Sequence, residues 1–157
     1  MFLKTKQDLR VVWPSINDII SNGGEFCLLP NGNSMLPLIR PGQDMVTIVS
    51  PEDLKKDDIV LFVRRTGQFV LHRIVDIKKG RYNIIGDNQR TIEFKIPREW
   101  ILAKVKYIHR DGEIIDFESK EYKKYLKKLH RKINFYRFPS FLSIMKQRIF
   151  KKKSTSK

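Results

Sequence analysis

The chain has 157 residues, 41% hydrophobic and 31% charged, which excludes wholesale disorder and suits one ordinary domain with a short appendage. The net charge of +15 is unevenly placed: residues 120–157 carry fourteen Lys/Arg and one acid, Glu121, so a uniformly basic protein is excluded. One cysteine, Cys27, excludes an internal disulfide framework and a Cys-based zinc site, and its apolar neighbours mark it as a small buried hydrophobe.

In chain order, residues 1–24 form a helical segment. Leu9, Val12, Trp13, Ile16, Ile19 and Ile20 recur at helical spacing over 7–21, Pro14 predicts a kink or two short turns, and Asn22-Gly23-Gly24 stops the helix. The segment is short for a helix-turn-helix domain.

From 25 to 119 the pattern changes to short β-rich runs at 25–30, 45–49, 59–63, 68–77, 82–86, 101–109 and 113–117. Arg65-Thr66-Gly67, Lys79-Gly80 and Asp111-Gly112 stand between consecutive runs at hairpin spacing, which predicts a mainly β, antiparallel domain.

Residues 120–157 are a basic amphipathic tail. Tyr122, Tyr125, Leu126, Leu129 and Ile133 lie on one helical stripe over 120–137, and Phe141, Leu142, Met145 and Ile149 form a second stripe beyond Pro139. Basic residues opposite aromatics over 120–150 suit an interfacial helix pair on an anionic membrane, with nucleic acid as the less favoured partner. No stretch approaches the length of a membrane span, and the N-terminal residues carry no apolar signal core. The expected location is cytoplasmic, peripheral at the inner membrane face.

Three features could carry chemistry. Ser34 sits on a turn between Gly32 and Pro37. His72 interrupts an apolar run and, by strand alternation, shares a face with Val70 and Ile74, where an imidazole needs hydrogen-bond partners. Asp87 follows Gly86 at a strand end, where a carboxylate could accept a hydrogen bond from an imidazole and fix its tautomer. Nucleophile, base and orienting acid are thus all present in one domain.

Four ordered boxes resemble the serine peptidases that include type I signal peptidases and self-cleaving SOS-type repressors, the S24/S26-like enzymes. Gly32-Asn33-Ser34-Met35-Leu36-Pro37 is similar to their nucleophile box. Lys56-Asp57-Asp58-Ile59-Val60 is similar to a Gly-Asp-Ile-Val box, with Asp57 at the usual glycine. Val70-Leu71-His72-Arg73-Ile74-Val75 resembles the base-bearing strand of the histidine-type subgroup, and Gly86-Asp87-Asn88 the Gly-Asp-Asn box.

The resemblance implies a signal-peptidase/SOS-repressor-like β domain and a serine endopeptidase working through an acyl-enzyme. It implies Ser34 as nucleophile, His72 as general base and Asp87 as orienting or structural acid. Backbone N–H groups of Ser34 or Met35 would serve as oxyanion donors, without cofactor or metal. Gly32 stands where signal peptidases often have a serine donor. The partner would be a peptide or protein substrate, such as a leader; the substrate-binding residues are not indicated. The competing expectation is a catalytically idle peptidase fold recruited to membrane or nucleic acid by its tail.

Overall fold

The computed structural model describes residues 9–137, with side chains through Asn134. The chain divides into two units, Met1–Asp116 and Phe117–Lys157, so the N-terminal helix belongs with the β domain.

Helix α1, Leu9–Ser21, runs unbroken through Pro14. It ends in a pair of backbone bonds, Gly24 N–H to Ile19 O at 2.9 Å and Gly23 N–H to Ile20 O at 3.2 Å, with Gly23 at φ +80°. That left-handed exit is why the Asn-Gly-Gly stop works. Ile16 and Ile20 are buried, and Trp13 meets Phe69 of the sheet with ring centroids 5.6 Å apart.

Eight strands make one sheet: β1 (Phe26–Leu28), β2 (Met45–Val49), β3 (Ile59–Val63), β4 (Phe69–Lys78), β5 (Arg81–Ile85), β6 (Glu93–Ile96), β7 (Ile101–Arg110) and β8 (Glu113–Ile114). Their order is β1-β2-β7-β3-β4-β5-β6, with β8 on β7, and every pairing is antiparallel. The domain is mainly β, as its period-two patterning predicts.

Two predicted turns have the backbone a two-residue hairpin requires. Lys79 and Gly80 take φ of 50° and 68°, Asp111 and Gly112 φ of 52° and 88°. Asp57 also has a left-handed φ of 76°, which accounts for the glycine in the family box it departs from.

Strand β6 was not among the predicted runs. Its segment Ile92-Glu93-Phe94-Lys95-Ile96 does alternate, but it is short, its Phe94 is exposed and Lys95 sits at φ 59°. Cys27 is half-buried rather than buried, because it lies on the short edge strand β1, its thiol 3.4 Å from the Thr47 hydroxyl.

One face of β3 to β7 carries a cluster of Val60, Phe62, Val70, Ile74, Ile84, Ile96 and Ile101. His72 lies on that face, between Val70 and Ile74, with its ring 5.8 Å from that of Phe62. Burial there is the chief source of fold stability, about 25 cal/mol per Å² of apolar surface.

In the second unit, helix α2 spans Lys120–Arg137, as the stripe predicts. Ser119 Oγ caps it by accepting the Tyr122 N–H at 3.1 Å, and Phe117 stacks on Tyr122 at 4.8 Å. Tyr122, Leu129 and Ile133 are buried, whereas Lys120, Lys123, Lys124, Lys127, Lys128 and Arg131 are exposed. The second stripe, Phe141 to Ile149, lies outside the described residues.

Candidate active site

Ser34 is carried on a single-turn 3-10 helix, Asn33–Met35, joined to β1 through Leu29-Pro30-Asn31-Gly32. The Met35 side chain is buried and anchors the turn, leaving Ser34 half-exposed. The first amides of such a turn have no acceptor within it, so the Ser34 and Met35 N–H groups are available to a ligand oxygen.

The turn is clamped from the β5–β6 connection. Asn88 N–H donates to Ser34 O at 2.8 Å, and Asn88 Nδ2 donates to Asn33 O at 3.2 Å. Gly86 makes this approach possible. A Cβ there would stand 2.7 Å from Ser34 O and 3.0 Å from both Ser34 Cβ and His72 Nε2. The serine Cβ and the imidazole nitrogen therefore converge on one point and lie at most twice that distance apart.

His72, on β4, is 1% exposed, and neither ring nitrogen has a hydrogen-bond partner. Glu93 Oε1 stands 3.1 Å from Nδ1, close enough for an ion pair but not aligned as a hydrogen bond. Burial drives the His72 pKa down to about 4; Glu93 opposes that shift and Arg64 adds to it. The imidazole is thus neutral at pH 7, the form that can accept a proton.

Of the two expected roles for Asp87, orienting or structural acid, its contacts fit the structural one. Its two oxygens are taken by Arg73, with Nε to Oδ1 at 2.8 Å and Nη2 to Oδ2 at 2.6 Å, and both side chains are fully buried. Arg73 Nη1 also donates to Asp57 O at 2.8 Å, tying the start of β3 to this pair.

The reason is strand alternation. Arg73 pairs with Ile85 and Ile74 with Ile84, so His72 and Ile84 share one face while Arg73 and Ile85 share the other. Asp87 continues the Ile85 parity and reaches Arg73; Gly86 continues the Ile84 parity and faces His72. Glu93 pairs with Ile84, which puts it on the histidine face.

Glu93 is the acid that the sequence reading missed. The alternation of Ile92 to Ile96 was the available signal, but its meeting with His72 needs the β4-β5-β6 order. Arg64 holds it, with Nε to Oε2 at 2.9 Å and Nη2 to Oε1 at 2.6 Å.

Ser34 and His72 lie in the wall of a cleft of about 810 Å³. Leu9, Val12 and Ile16 of α1 form an apolar side, and Arg64, Gln68 and Asn88 add polar groups. The cleft is a half-open, mainly apolar trough beside a serine and a neutral imidazole.

The site is thus a serine turn set against a buried histidine in an antiparallel β domain. The Peptidase S24-like family matches residues 5–108, and the chain belongs to that family. Among curated proteins, none matches the chain.

Proposed function

We propose that the protein is a serine endopeptidase in which Ser34 is the nucleophile, His72 the general base and Glu93 the acid at the base. The reading rests on one observation above all: Ser34 Cβ and His72 Nε2 converge on the Cβ-less Gly86 at the cleft wall. Ser34 Oγ attacks a peptide carbonyl while His72 Nε2 takes its proton. The carbonyl oxygen, now negative, faces the free N–H groups of Ser34 and Met35. Collapse expels the amine, which takes the proton from His72, and water hydrolyses the ester by the same route. Each oxyanion donor is worth ~2.7–4 kcal/mol in such chemistry.

The competing reading, an idle binding module, draws on the lack of a hydrogen bond between Ser34 and His72. Catalytic hydrogen bonds are often loose in unliganded sites and tighten on substrate. Incubating the protein and its Ser34→Ala variant with a diverse peptide library, read by mass spectrometry, decides between them. Cleavage products that disappear with Ser34→Ala support the peptidase; identical digests, or none, support the binder.

We also propose that α2 brings the protein to an anionic membrane surface. Six exposed cations share one helix face, while Tyr122, Leu129 and Ile133 are already buried. Attachment through α2 is therefore electrostatic rather than inserted, at ~1 kcal/mol per cation near the surface. Sedimentation with phosphatidylserine vesicles should fall steeply with salt and drop further when Lys124, Lys127, Lys128 and Arg131 become Gln. No sedimentation, with tight binding of an oligonucleotide instead, would overturn this.

A further inference from the structure

Arg64 sits at the start of the β3–β4 turn, and each of its three side-chain nitrogens has a hydrogen-bond acceptor. Nε and Nη2 grip the two oxygens of Glu93, and Nη1 donates to Gln68 Oε1 at 2.7 Å. The Arg64 N–H also donates to Gln68 O at 2.9 Å, so hairpin and fork share one anchor. A guanidinium held at three points presents a rigid, planar fork, and a carboxylate gripped by it has one orientation.

That orientation has a consequence at the histidine. Glu93 Oε1, the oxygen bound to Nη2, is also the one 3.1 Å from His72 Nδ1. A carboxylate at Nδ1 favours the tautomer with its proton there, leaving the Nε2 lone pair toward Gly86 and Ser34. Glu93 is on a four-residue edge strand, beside the exposed Phe94, and β6 alone gives it little constraint.

We infer that Arg64 is a positioning residue that acts through Glu93 to set the tautomer of His72. It touches no reacting atom. Its catalytic meaning rests on the peptidase reading above, but the tautomer itself can be observed without substrate.

The test is ¹⁵N NMR of the His72 ring in the full-length protein at pH 7, with Arg64→Gln, Arg64→Lys, Glu93→Gln and the Arg64→Gln/Glu93→Gln pair. The parent should show the proton on Nδ1. Arg64→Gln and Glu93→Gln should each spread it over both nitrogens, Arg64→Lys should fall between, and the pair should be no worse than either single change. That non-additivity is what a merely structural arginine would not produce.

Arg64→Gln with the parent's tautomer, or single effects that simply add, would overturn the inference. Should Arg64→Gln not fold, Arg64→Lys carries the test, because it keeps the charge and loses the fork: an unchanged tautomer there refutes the role of the fork. The outcomes also stay separate from the peptidase reading. A tautomer that follows Arg64 in a protein that cleaves nothing keeps this inference and removes that one; cleavage with a tautomer indifferent to Arg64 does the reverse.

Discussion

His72 and Arg73 are neighbours on β4, and both side chains are buried, yet they live in opposite circumstances. Arg73 faces a carboxylate and a carbonyl that take up its donors, in a fully buried pair. His72 faces Glu93 and Ser34 with two nitrogens that hydrogen-bond to nothing. Both Glu93 and Asp87 are bound through both oxygens to an arginine, and Glu93 in addition brings one of them, Oε1, to 3.1 Å from the imidazole Nδ1. A fold satisfies its structural charges; a site keeps hydrogen-bonding capacity in reserve.

The widest separation of the two faces comes from removing each acid. Asp87→Ala leaves the Arg73 charge buried without its carboxylate and should cost ~3–5 kcal/mol of stability. Glu93→Ala removes a partly exposed carboxylate and should cost ~1 kcal/mol or less, while slowing peptide cleavage ~10²-fold or more. Denaturant midpoints set beside cleavage rates check both; equal stability losses would break the distinction.

Acid should single out the histidine face. His72 is held at a pKa of about 4 against about 6.5 in an unfolded chain. Between those values the unfolded chain binds a proton that the native state refuses. Stability is therefore full above the unfolded pKa and falls as pH drops toward about 4, by roughly 3 kcal/mol in all. His72→Gln should flatten that slope in urea titrations from pH 7 to 4. Cleavage should likewise keep its rate below pH 6 and lose it only toward about 4, which a pH–rate profile would show.

A smaller effect should come from the point where the two faces part. Gly86→Ala places a methyl group 2.7 Å from the Ser34 carbonyl, which is backbone and cannot yield cheaply. The serine turn must shift, and displacements of that kind cost ~10²-fold in rate. Cleavage assays with a parallel melting curve would show rate falling further than stability. Unchanged cleavage would mean that the serine does not need this approach.

Much of this was legible in the residues. Lys79-Gly80 and Asp111-Gly112 announce their hairpins because two-residue turns demand positive φ, a purely local requirement. The α2 stripe is local as well, and so is the stop of α1 at Gly23. Ser34 and His72 were found because a serine turn and a histidine in an apolar strand each break a short-range pattern. By itself, the sequence determined every described strand except β6, the two described helices, the two-residue turns, and the places of Ser34 on a turn and His72 in an apolar strand.

Which acid lies beside the histidine was decided only by the tertiary structure. Alternation puts His72 and Arg73 on opposite faces, but what waits on each face depends on strand order. Asp87 looked suited to the histidine because it follows Gly86 in the family box; its parity sends it to Arg73. Glu93 reaches the histidine from a strand whose short, partly exposed pattern gave little notice of it. Propensity and turn chemistry act within a few residues and are written in order along the chain. The partners of charged side chains lie far apart in the chain, 29 residues for Arg64 and Glu93 and 66 for the buried Asp44 and its Arg110, and only packing brings them together.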